Sequence, residues 1–212
     1  MIIRDLTKLS NLFFFSKNSL RALEKNEEKL NFNIKYWIKT GKIISLKNGL
    51  YITKSRWDKE INKDLYLEYL ANKIYEPSYL SLEYIMNKYS LLTEAVYGIT
   101  SITTKKTKSF VNGLASFNYS SMTPDLFTGY ETTKAFDTFI FTASKAKAVF
   151  DYLYLRFIKN TPINKKIIEE LRINWENITK SEFKNIEGYA NKAKSLKVKQ
   201  VISLIKKMYY AA

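Results

Sequence analysis

The chain of 212 residues contains neither cysteine nor histidine. That removes disulfide staples, thiol nucleophiles, imidazole acid–base chemistry and zinc sites of the usual kind. Glycine is scarce, at six residues, and none stands in GxGxxG or GxxxxGKS/T spacing, so no phosphate-cradling loop is offered. No apolar run reaches the roughly 18 to 20 residues that span a bilayer. The opening MIIRDLTKLSNLFFFS carries Asp5 among its apolar residues and lacks a small-residue cleavage pattern, which predicts an unprocessed cytoplasmic protein without membrane contact. Asp125, Asp137 and Asp151 are scattered rather than grouped as D-x-D. The expectation is a non-enzymatic protein with no metal and no cofactor.

Acidic residues are also few, 20 against 35 basic ones, for a net charge of +15. Such a balance favours polyanions, because each neutralised phosphate releases condensed counterions. Only five of the basic residues are Arg, and the chain is rich in Lys, Asn, Ile and Tyr, as A/T-rich codons would make it. Codon bias alone does not explain the distribution. Residues 1–60 hold 13 basic and 6 acidic residues, residues 61–160 hold 11 and 9, and residues 161–212 hold 11 and 5. Charge therefore concentrates at the two ends, as expected of a nucleic-acid-binding chain.

With 46% hydrophobic residues the chain can bury a substantial core. Ile3, Leu6, Leu9, Leu12 and Phe13 form one helical stripe, and Ser16 or Asn18 can cap a short second helix. A third helix, Glu27 to Thr40, starts at Asn26 and buries Leu30, Ile34, Trp37 and Ile38. Asn31, Lys35 and Lys39 share another face, where Asn31 can reach base edges and the two ammonium groups can reach phosphates. Gly41 ends the helix, and Lys42–Leu46 and Leu50–Thr53 form a hairpin about Asn48-Gly49. Lys42, Lys47 and Asn48 are placed at its base and tip. Both strands are apolar on both faces, so alternation does not say which side packs inward. A helix running into a small basic hairpin reads as the recognition helix and wing of a winged helix-turn-helix.

The predicted class is α+β: a winged-helix DNA-binding domain at 1–54, a polar connector at 55–62, a mixed α/β domain at 63–160, and a basic helical segment at 161–212. Within the middle domain, helices are expected at Asp64–Tyr75 and from Ser81, whose hydroxyl is placed to cap. Strands are expected at Val96–Thr104, Ser116–Tyr119 and Thr138–Thr142, with a loop over Thr123–Thr132. A helix from Ser144 to Ile158 buries Val149, Phe150, Leu153 and Phe157. Lys147 and Asp151, four apart, have the spacing of a surface ion pair, and together with Lys192, Lys194, Lys197 and Lys199 they are the candidates for a partner-binding or antitoxin surface. Two C-terminal stripes follow, Phe183-Ile186-Ala190-Ala193 and Val198-Val201-Ile202-Ile205. Lys192, Lys194, Lys197 and Lys199 make that end a second basic surface.

Four blocks in order carry a likeness to a known family: IKYWIKTGKIISLKNGLYIT, YEPSYLSLEYIMNKYSLL leading into YGITSITTKKT, ASKAKAVFDYLYLRF, and EELRINWENITKSEFKNIEGYANKAKSLKVKQVISLIKK. In that order the chain resembles the AbiEi-type antitoxins of type IV (abortive infection) toxin–antitoxin systems over most of its length. The resemblance implies a transcriptional autorepressor that binds repeats in its own promoter as double-stranded DNA. It also implies a C-terminal part that counters a nucleotidyltransferase-like toxin. One departure stands out: such proteins usually read Pro-Glu where this chain has Lys145-Ala146, with Ser144, Lys147, Ala148 and Asp151 kept. A lysine there opposes the helix dipole that a glutamate would favour.

Overall fold

The computed structural model describes residues 3–136 and 138–210; Asp137 and the side chains of Ile3, Arg4 and Asp5 lie outside the described set. The architecture is mixed α+β and about half helical. It opens with Ile3–Leu9 (α1), Phe15–Ser16 (β1), Lys17–Arg21 (α2), Glu27–Lys39 (α3), Ile43–Lys47 (β2) and Leu50–Thr53 (β3). The three short strands make one antiparallel sheet in the order β1-β3-β2. Ser16 and Asn26 cap α2 and α3 by accepting the amides of Ser19 and Lys29, which would otherwise lack partners. Leu9, Leu20, Leu30, Ile34, Trp37, Ile43, Phe15 and Tyr51 close a first core. Leu12, expected inside, is 44% exposed because α1 ends at Leu9, and Ile38 is 42% exposed because the α3 stripe is narrower than its period suggests.

Alternation could not orient the β2–β3 hairpin because both of its faces are buried. Ile43 and Tyr51 point into the first core, while Leu46, Leu50 and Ile52 belong to the large core of the rest of the chain. Alternation from Ile44 puts Leu46 on that second side, and a bulge between Ser45 and Lys47 brings Lys47 opposite Leu50 there. Where a polar connector was expected, Lys54–Lys59 form a helix (α4), with the Thr53 hydroxyl accepting the Arg56 amide. Polar bonds join the same two regions: Asn112 Nδ2 donates to the Leu46 carbonyl at 3.1 Å, and the Tyr66 hydroxyl donates to that of Phe13.

The middle of the chain runs Lys63–Ile74 (α5), Ser78–Leu80 (β4), Leu82–Lys88 (α6), Ile99–Thr103 (β5), Lys108–Val111 (β6), Ser116–Ser121 (β7), Tyr130–Ala135 (β8), Thr138–Ala143 (β9) and Lys145–Phe157 (α7). Its six-stranded sheet has the order β6-β7-β5-β4-β9-β8, with parallel pairing of β5 with β7 and of β4 with β9 and antiparallel pairing elsewhere. Adjacent residues of β4 face opposite ways. Tyr79 meets Asp151 of α7, whereas Tyr119, in register with Ser101 and so on the Leu80 side, donates to Ala71 of α5. The sheet thus lies between α5 and α7. Strands β6 and β8 were not foreseen, and Tyr130–Thr132 belong to β8 rather than to a loop.

Lys165–Glu170 (α8), Lys180–Lys192 (α9) and Leu196–Tyr209 (α10) complete the chain, with α9 and α10 packed on α7. Between α8 and α9 the chain is not helical: Ile173 bridges Leu92, and Trp175–Asn177 form a 3-10 turn. Among the described residues no helix is long and apolar enough to cross a membrane.

Because the hairpin serves two cores, Ile52→Ala at a fully buried position should cost about 2–5 kcal/mol. In single-tryptophan variants, urea transitions reported by Trp37 and by Trp175 should shift together. A shift confined to Trp37 would show an N-terminal unit that folds independently.

Candidate nucleic-acid interface

Helix α3 has complete ends. Glu27 and Glu28 occupy the first turn and Lys39 the last, each sign matching the helix dipole. At the C-terminus the Lys42 amide donates to the Trp37 carbonyl at 2.8 Å and the Gly41 amide to that of Ile38 at 3.1 Å, with Gly41 at φ +67°. This is a Schellman turn, and it sends the chain directly into β2. At the other end Glu27 is gripped by Arg21 and Lys17 of α2, and these hydrogen bonds hold its carboxyl down at about 2. The two helices are therefore fixed to each other at the end farthest from the hairpin.

Past its first turn, with Glu27, Glu28 and Lys29, α3 leaves Asn31, Phe32, Lys35, Tyr36, Ile38 and Lys39 exposed. Among the described residues neither Lys35 nor Lys39 has an acidic partner. From Lys29 to Trp57 the sequence has seven basic residues and no acidic one. Lys42 is half-buried with its ammonium 5.5 Å from the centre of the Tyr36 ring, and Asn48 is exposed at the hairpin tip. Asn31, Lys35, Lys39, Lys42 and Asn48 thus remain candidates for a surface that meets nucleic acid.

Lys47 does not. Its ammonium donates to the Ile74 carbonyl at 2.6 Å, and burial, followed by nearby Lys105, pushes its pKa down. The side chain points at the C-terminus of α5 because the second hairpin face packs there, and a C-terminal carbonyl is a natural partner for an ammonium group. Sequence reasoning missed what lies beside it. Lys105, Lys106 and Lys108, exposed in the turn leading into β6, extend the basic strip past the hairpin. The signal was the KKTK run itself, directly after the strand expected at Val96–Thr104. A groove of about 720 Å³ separates β2 from β6, lined by Ile38, Ile44, Lys47, Lys54 and Val111 among others.

The expected partner surface at Lys147 and Asp151 is also corrected: both side chains are fully buried. The Lys147 ammonium donates to Asp151 Oδ1 and, at 2.9 Å, to the Leu126 carbonyl, and it lies against the rings of Phe150, Tyr189 and Tyr79. Asp151 Oδ2 accepts from Tyr79 Oη at 2.9 Å and Ser81 Oγ at 2.8 Å. Ser81 stands at the start of α6 but makes no capping bond, its hydroxyl being committed to Asp151. Burial pushes the Asp151 carboxyl up and the Lys147 ammonium down, and their mutual attraction opposes both shifts. With both oxygens engaged, Asp151 is a structural group. Asp125 is exposed, and among the described residues no three carboxylates cluster as a metal would require.

At the C-terminal end Lys192, Lys194 and Lys199 are exposed, while Lys197 donates to the Lys159 carbonyl. Lys145, the departure at the start of α7, pairs with Glu182 at 2.9 Å and donates to the Asn177 carbonyl at 2.9 Å. An acid from α9 thus offsets its conflict with the dipole of α7. No protein-family model matches the chain, and no curated protein matches it.

Asp151→Asn strands a buried ammonium and should destabilise the protein by about 3–5 kcal/mol, measured by chemical denaturation. The paired replacement Lys147→Met with Asp151→Leu should recover part of that loss. A cost near zero for Asp151→Asn would mean that the pair is hydrated.

Proposed function

We propose that this chain is a non-enzymatic, DNA-binding transcriptional regulator whose α3 and hairpin form a winged helix-turn-helix. One observation carries the reading: the capped helix α3 presents Asn31, Lys35 and Lys39 on an open face within a stretch of 29 residues that holds no acid. A face of that kind suits the major groove, with ammonium groups for the phosphates on either side and an amide for base edges. The β1-β3-β2 sheet directly behind α3 agrees with it. The four sequence blocks extend the proposal to an autorepressor and antitoxin of an abortive-infection system, bound to its own promoter repeats and countering a nucleotidyltransferase-like toxin. The exposed lysines of α9 and α10 are the surface available for that second task.

A second reading also has support. Because one hairpin face and Lys47 are turned into the large core, the N-terminal region is equally suited to act as a scaffold for a module that neutralises a protein partner by direct binding. Deleting residues 1–54 cannot separate the two, since it would strip Leu46, Leu50 and Ile52 from that core. Point variants of the full chain can.

Lys35→Ala with Lys39→Ala should weaken binding to duplexes tiling the chain's own promoter. The slope of log K against log salt should become shallower by about 2, at roughly 0.9 per phosphate contact. Lys47→Ala should leave that slope unchanged and lower the unfolding midpoint instead. An unaltered slope in the double variant would sink the assignment of α3. Partner neutralisation on co-expression with the neighbouring gene, in a chain that shows no promoter binding, would establish the scaffold reading.

A further inference from the structure

Helix α3 carries an exposed aromatic ring. Phe32 is 70% exposed, more than Ile38 on the same helix, while Leu30, Ile34 and Trp37 are buried. It follows Asn31 directly, and its spacings of three and seven place it on one face with Lys35 and Lys39. Tyr36, one turn on, is 47% exposed beside it. Only a shallow concavity of Glu24, Glu28, Lys29 and Asn33 adjoins the ring within this chain. An exposed phenylalanine ring forgoes the stabilisation of burial, which a partner can restore.

The charge around the ring decides which partner. Glu24 and Glu28 lie on its N-terminal side, but Lys35 and Lys39 follow it on the helix and no acid stands between Lys29 and Trp57, so the face from the ring onward suits a polyanion. In the major groove of a duplex, the apolar group projecting from the base edges is the C5 methyl of thymine, and adenine on the opposite strand offers the N6 donor and N7 acceptor that an asparagine matches. Resting on the DNA-binding reading above, we infer that Phe32 packs on a thymine methyl while Asn31 pairs with an adenine edge. Helix α3 thereby selects A·T pairs at the centre of its site, and the lysines supply affinity without sequence preference.

Replacing thymine by deoxyuridine removes only that methyl and tests the inference. Full-length protein is titrated against promoter duplexes in which each thymine of the bound repeat is replaced in turn. The wild type should lose about fourfold in affinity at one or two positions, the worth of one buried methyl group. Phe32→Ala should bind more weakly at every duplex and no longer distinguish thymine from deoxyuridine, with its unfolding midpoint unchanged because the ring is exposed. Phe32→Leu should keep part of the discrimination. Salt-dependent binding that is indifferent to deoxyuridine at every position would overturn this inference and leave the DNA-binding reading standing; absence of salt-dependent duplex binding would overturn both. Self-association of the DNA-free protein that Phe32→Ala abolishes, together with indifference to deoxyuridine, would assign the ring to a contact between copies instead.

Discussion

The β2–β3 hairpin is the constraint on which the rest of the molecule depends, because its two faces close two different cores. Nine residues of strand and an Asn-Gly turn give Ile43 and Tyr51 to one side and Leu46, Leu50 and Ile52 to the other. A hairpin buried in this way is not a free flap. The Schellman turn at Gly41 ties α3 to β2, so whatever fixes the hairpin also fixes the direction in which α3 faces. The same burial turned Lys47 inward, where its ammonium satisfies a carbonyl at the end of α5. A helix carried on a two-sided support suits a surface that must meet a rigid partner without reorganising.

A second tie holds the far side of the sheet. Lys147 and Asp151 collect groups from β4, the Leu126 turn and α9 around α7. Two charges taken from water are costly, and only complete hydrogen bonding makes such a pair tolerable. Here the completion is visible, since each Asp151 oxygen has a donor and the ammonium has a carbonyl and aromatic faces. Because these bonds are directional, they fix the packing angle of α7 more narrowly than apolar contacts would.

Sequence reading succeeded where one face of an element is buried and failed where none or all are. The stripes of α3, α9 and α10 set a dry side against a wet one, and the cap of α3 at Asn26 is explicit. Strand β6 is almost wholly exposed, so its burial leaves no alternation to read, and β8 is polar along most of its length for the same reason. The hairpin erred in the opposite direction, with an apolar residue at nearly every position. Lys147 and Asp151 were misjudged because a spacing of four looks the same in water and in a core. Ala146, Ala148, Val149 and Phe150 around them were the better guide, because a helix that is apolar all round is an interior helix. Of the expected DNA-facing residues, only Lys47 needed tertiary information to be removed. Phe32 passed unnoticed because a phenylalanine in a helix is ordinarily core, and its exposure becomes legible only once Leu30, Ile34 and Trp37 are seen to fill that core without it.

The distribution of charge follows from how the acids are spent. Glu27, Glu60, Glu68, Glu76, Asp151, Glu182 and Glu187 are each committed to a basic side chain within the fold. Several of these pairs hold one element to another, as Glu27 holds α3 to α2 and Glu182 holds α9 to the start of α7. Each such pair takes one cation with its acid, so the net surplus of 15 stays with the basic residues that have no acidic partner. The excess would repel itself in an isolated chain, and its cost is least where the lysines are spread over solvent-facing helices rather than buried. On α3 the lysines follow an exposed ring and an asparagine, with Glu24 and Glu28 on the ring's other side. Ammonium groups attract any polyanion, whereas a ring and an amide side by side have the shapes and hydrogen-bonding groups that discriminate among base pairs.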